Sequence, residues 1–110
     1  MSRNLEARRA AILAEIAELG PAMPGSLVFR NNRCARPDCR CHADPPDLHG
    51  PYPAWTRKVN GKTVTRSLST DQADRYRPWF DNARRLRELV DQLRELAIEQ
   101  AQTEGDWPDT

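Results

Sequence analysis

The sequence predicts an α+β fold: an N-terminal helix, a cysteine-rich knuckle, a small antiparallel β-sheet with an Asn-Gly hairpin, and a long C-terminal helix. Three observations predict it. Apolar residues recur at helical spacing near both ends of the 110-residue chain. In the middle, β-branched residues alternate on either side of Asn60-Gly61, the strongest short-range cue for a two-residue hairpin. Just before that hairpin, all three cysteines and both histidines fall between Cys34 and His49, in a segment with no period of its own.

In residues 3–19, Leu5, Ile12, Ile16 and Leu19 make one helical stripe, and Gly20-Pro21 ends it. "GPAMPGS" is a turn-rich linker, and "SLVFR", Ser26–Arg30, reads as a short strand. Residues 31–52 read as loop, because Pro37, Pro45, Pro46 and Pro51 exclude a helix. So long an irregular segment in a small chain needs something to hold it. The hairpin register pairs Val59 with Lys62, Arg57 with Val64 and Trp55 with Arg66. Those six residues then share one face, and Thr56, Lys58, Thr63 and Thr65 share the other.

Ser69 or Thr70 caps the next helix, with Asp71 and Asp74 in its first turn, where the helix dipole favours them. Pro78 is expected to kink or break it into a short and a long piece. From about Trp79 to Ala101, a seam of Leu86, Leu89, Val90, Leu93, Leu96 and Ala97 calls for cover, with residues 3–19 as the antiparallel partner or a second copy in a homodimer. Trp79 and Phe80 are expected as core beneath the hairpin. Residues 1–104 are expected to form one small metal-stabilised domain and residues 105–110 a disordered tail.

Net charge is +1, which excludes nothing about partners, but its distribution is uneven. Arg30 to Arg66 carry eight bases against three acids, whereas Asp71 to Thr110 carry six against ten. An anionic partner would meet the basic middle. The N-terminus shows no apolar signal core and no run approaches the roughly 18 apolar residues of a membrane span. The expected setting is therefore cytoplasmic, without a membrane, where clustered thiols favour metal over disulfides.

The cluster reads as Cys-x4-Cys-x-Cys-x7-His, with Cys34, Cys39, Cys41 and His49 as ligands. Structural zinc takes four such donors in a tetrahedron. His42, adjacent to Cys41, competes for the fourth place but would have to turn sharply. A closed four-ligand set leaves no open position, so the implied Zn²⁺ is structural, and its binding free energy becomes folding free energy for the segment. A cysteine nucleophile needs one activated thiol, a distant histidine and an orienting group, which three clustered cysteines fit poorly; the chain is read as non-enzymatic.

"PGSLVFRNNRCARPDCRCH", "HGPYPAWTRKVNGKTVTRSLSTDQA" and "WFDNARRLRELVDQL" together resemble a small uncharacterised bacterial and archaeal family, that of the domain of unknown function DUF6788. The likeness spans about residues 24–95 and rests on the CxC knuckle followed by an HGPY turn. It implies that Cys34, Cys39, Cys41 and His49 form the family's cluster, and a setting alongside mobile elements. Ala35-Arg36 and Pro53 depart from the pattern, which has Gly-Lys and a second aromatic there.

Basic residues interleaved with aromatics on a ribbon suit phosphate contacts and base stacking. Arg36, Arg40, Trp55, Arg57, Lys58, Lys62 and Arg66 are the candidate nucleic-acid contacts, with DNA the expected partner. Residues 55–73 are also similar to the arm-type DNA-binding modules of tyrosine integrases, a small sheet followed by a helix. Two other readings stand beside this one. In one, the hairpin lysines serve only to blunt a sheet edge; in the other, the metal module is the scaffold of a protein–protein adaptor whose C-terminal helix recruits a partner.

Overall fold

The computed structural model describes residues 3–108. Arg3–Glu18 form α1, Ser26–Asn32 β1, Arg40–His42 one turn of 3-10 helix, His49–Val59 β2, Lys62–Ser67 β3 and Thr70–Glu104 α2. The fold is α+β, as the sequence predicts. The chain falls into two units, residues 24–80 and residues 1–23 with 81–110.

In the first unit the strands form one antiparallel sheet in the order β1-β2-β3. The expected hairpin register holds, with Val59 opposite Lys62, Arg57 opposite Val64 and Trp55 opposite Arg66. Asn60 and Gly61 have φ of 51° and 81°, the two positive values that a type I′ turn requires. β1 pairs with the other side of β2, placing Leu27 opposite Trp55, Phe29 opposite Pro53 and Arg30 opposite Tyr52.

The irregular segment is shorter than residues 31–52. β1 runs on to Asn32, and β2 begins at His49, so only residues 33–48 lie outside strands. Prolines are tolerated at the start of β2 because β3 reaches back only to Ala54, leaving residues 49–53 with a strand neighbour on one side. The Pro53 carbonyl faces the β3 side, where it accepts from the Leu68 N–H at 3.1 Å, so the missing N–H of Pro53 points away from β1.

α2 starts with a capping box. The Ser69 hydroxyl accepts from the Gln72 N–H at 3.0 Å, and the Gln72 side-chain oxygen accepts from the Ser69 N–H at 2.9 Å. Pro78 does not break the helix, which is continuous for 35 residues. The proline removes one backbone bond, to the Asp74 carbonyl, while Ala73 and Phe80 are buried on either side of it and hold both flanks. Trp79 is half-buried and packs edge-on to Tyr76, ring centroids 4.9 Å apart.

The second unit joins α1 to the later part of α2 as antiparallel helices. Arg8 pairs with Glu99 at 2.8 Å, and Arg85 forks onto Glu15. Leu5, Leu89 and Leu96 are buried, with Ile12, Ile16, Leu19, Leu86, Val90 and Leu93 partly so. Ala97 is exposed and drops out of the expected seam: it sits about 100° around the helix from Leu96, and its methyl is too short to reach back. Asn82 donates to the Pro21 carbonyl at 2.9 Å, fixing the linker after α1.

Candidate metal centre and basic surface

The cysteine segment is bent by its own backbone. The Cys39 N–H donates to the Arg36 carbonyl at 3.2 Å, and the His42 N–H to the Cys39 carbonyl at 2.9 Å. The Ala43 and Asp47 N–H groups both donate to the Arg40 carbonyl at 3.1 Å. These turns carry Cys39 and Cys41 past each other and bring Cys41 back onto Cys34, whose N–H donates to the Cys41 Sγ at 3.3 Å.

His49, the first residue of β2, supplies the fourth donor. It is placed by Gly50, whose φ of 117° suits glycine alone. A Cβ there would lie 2.7 Å from the Arg30 carbonyl oxygen, so the turn exists only because β1 can pass that close.

Candidate ligand atoms of Cys34, Cys39, Cys41 and His49 all lie within 4.8 Å of one another. The Cys34 and Cys41 Sγ atoms are 3.6 Å apart, and Cys39 Sγ is 3.3 Å from His49 Nε2. A tetrahedral ion with metal–sulfur bonds of about 2.3 Å has ligand–ligand edges of about 3.8 Å, close to these distances. The four residues form a group able to hold a metal ion. His42 takes another role: its Nε2 donates to the Cys34 carbonyl at 2.7 Å, bracing the knuckle from outside the cluster.

The electrostatics fit a cation. The Cys41 N–H, seconded by the Cys34 thiol, draws the Cys39 pKa down to about 6. Cys41 is fully buried, and burial pushes its pKa up. Its surroundings are three further soft donors, so a positive ion between them is what would make it a thiolate.

The basic candidates divide among several surfaces. Arg36 faces Asp38 at 4.0 Å and Arg40 pairs with Asp47 at 3.1 Å, so the knuckle's arginines are partly neutralised, which the sequence did not foretell. The Arg57 guanidinium lies 4.6 Å from the centroid of the Trp55 ring, whose Nε1 donates to the Pro24 carbonyl at 2.8 Å. Lys62 and Arg66 lie on the same face along the edge strand β3, both exposed. Lys58 is on the opposite face, where Thr56 and Thr65 meet across the strands at 3.5 Å.

Spacing alone overlooked two further bases of this unit, Arg75 and Arg77. The Arg77 guanidinium lies 5.7 Å from the centroid of the exposed Phe29 ring, a contact between distant segments that no local pattern signals. Residues 24–80 together carry ten bases against five acids, and the rest of the chain seven against eleven. The charge asymmetry read along the sequence is therefore an asymmetry between the two units.

The fold and cluster define a small α+β protein with a Cys3His group formed by the segment between its first two strands and the first residue of the second. A family model described as a domain of unknown function, DUF6788, matches residues 2–78, and the chain belongs to that family. The match takes in α1, the cluster and the sheet and ends at Pro78, whereas the likeness noted above ran over about residues 24–95. No curated protein and no solved structure matches the chain. Among the described residues, no helix is long and apolar enough to cross a membrane.

Proposed function

We propose that Cys34, Cys39, Cys41 and His49 hold a structural Zn²⁺, and that the basic unit this ion folds binds nucleic acid, DNA in the first instance, as a non-enzymatic accessory protein of a mobile element. The donor set supports zinc over harder ions: three thiol sulfurs and one imidazole suit a soft or borderline cation in tetrahedral geometry, whereas Mg²⁺ and Ca²⁺ take oxygen. Residues 33–48 form only one short helical turn of their own, so an ion at this cluster supplies the folding energy they lack.

One observation carries the nucleic-acid reading. The unit that contains the cluster has a twofold excess of bases, and Arg57, Lys62 and Arg66 project from one sheet face beside Trp55 without acidic partners among the described residues. The test is a binding titration of zinc-loaded protein at several salt concentrations. Phosphate contacts predict steep salt dependence, and Arg57→Ala/Lys62→Ala should flatten the slope by roughly 1.8 log units per log unit of salt on duplex DNA, at about 0.9 per contact. No binding at low salt would refute the reading.

An adaptor is the second reading, favoured by Leu13 and Trp107, which expose 43% and 58% of their surface on the helical unit. A homodimer through the α2 seam would have to displace α1, whose pairs to Glu99 and Arg85 lie along that helix. Sedimentation equilibrium decides it: a dimer that survives Leu13→Ser but not a seam substitution would support the seam.

A further inference from the structure

Residues 24–80 carry rings in three different states. Trp55 is engaged, with Arg57 over its face and its N–H on the Pro24 carbonyl. Phe29 has the Arg77 guanidinium near its ring. Tyr52 is 49% exposed, and its side chain has neither a ring contact nor a hydrogen bond among the described residues. It sits three residues after His49, at the stretch of β2 that β3 does not reach, and opposite Arg30 on β1. Cross-strand partners share a face, so Tyr52 and Arg30 lie on one side of the sheet together with Lys58. Arg30 and Arg33 have no acidic partner among the described residues.

We propose that Tyr52 is a stacking platform for an unpaired base, flanked by Arg30 as a phosphate contact, so that the nucleic acid this unit holds is single-stranded. The inference rests on the nucleic-acid reading above and narrows it. Two observations carry it. In a duplex the base faces are hidden in the stack, so an open ring on a sheet meets only an unstacked base. The bases of the sheet also project from both faces, Arg57, Lys62 and Arg66 from one and Arg30 and Lys58 from the other. A duplex is stiff over about 50 nm and lies against one face, whereas a flexible single strand can pass around the open end of β2 and reach both. The net charge of the unit complements such a strand, and stacking adds affinity without sequence preference.

The experiment uses full-length, zinc-loaded protein and a fluorescein-labelled 20-nucleotide DNA of mixed sequence, free and annealed to its complement. The wild type should bind the single strand about tenfold or more tighter than the duplex. Tyr52→Ala should weaken single-strand binding about tenfold at every salt concentration without changing the salt slope, and Tyr52→Phe should restore it. Zinc content and circular dichroism check that each variant is folded. A 2-aminopurine placed in the strand should be quenched by wild type, a readout that stands even if Tyr52→Ala fails to fold. Equal affinity for both forms, or a Tyr52→Ala ratio like that of wild type, overturns the single-strand proposal while the nucleic-acid reading survives. Binding of neither form overturns both.

Discussion

Gly50→Ala tests whether the close passage of β1 over the start of β2 is what seats His49. The added Cβ would meet the Arg30 carbonyl oxygen at 2.7 Å, the Tyr52 nitrogen at 3.0 Å and the Asn31 side-chain oxygen at 3.1 Å, all tight contacts and two of them with backbone. The φ of 117° is itself strained for any residue with a Cβ, by about 1–3 kcal/mol. Relief requires β1 and β2 to part by several tenths of an ångström, and β2 begins with the ligand. Gly61→Ala is the matched control: its φ of 81° is also positive, but nothing lies within 4 Å of its Cβ. That variant should lose only about 1–2 kcal/mol of stability, from strain in the turn. The assay is competition for zinc against a chromophoric chelator, alongside urea unfolding of the loaded protein. Gly50→Ala should bind zinc at least about tenfold more weakly and unfold earlier than Gly61→Ala. Equal zinc affinity in the two variants would refute the link between this strand crossing and the ligand set.

Cys39→Ser should lose the metal, measured as zinc per chain by atomic absorption, whereas His42→Ala should retain it and lose about 1 kcal/mol with the Cys34 carbonyl bond. Leu89→Asp should unfold the helical unit, since Leu89 is 1% exposed and an unpaired buried charge costs several kcal/mol, on the order of 3–5; Arg87→Asp, exposed on the same helix, should melt within a few degrees of wild type. Arg85→Asp is not mild, as its position off the seam suggests, because Arg85 joins Glu15 of α1 and Glu88 of α2, and reversal would set three carboxylates together. The pKa values of Glu15 and Glu99 are lowered by Arg85 and Arg8, so their stabilising effect is present above the ordinary carboxylate range and fades as pH falls through the lowered values; in acid-unfolding curves Glu15→Gln should flatten that limb.

Both helices, the hairpin register and the cysteine cluster were legible along the chain because each depends on neighbours a few residues away. Helical periodicity marks Leu5, Ile12, Leu89 and Leu96 without knowledge of what covers them. Asn60-Gly61 chooses its turn from its own backbone freedom, and the turn then sets every pair of β2 with β3. Three sulfurs within eight residues need no tertiary argument to suggest an ion. Other features were decided only by segments far apart in the chain. Pro78 stays helical because burial at Ala73 and Phe80 outweighs one lost hydrogen bond. His49 rather than His42 joins the cysteines because β1 pairs with the start of β2 and turns it toward them, while His42 is drawn to a carbonyl. Arg40 is tied to Asp47, and Arg85 to Glu15, by folds of the chain that no spacing encodes. Local order comes from backbone geometry and periodicity, which a linear sequence displays; the pairing of distant strands and charges depends on which surfaces meet, and that is known only once the chain has closed on itself.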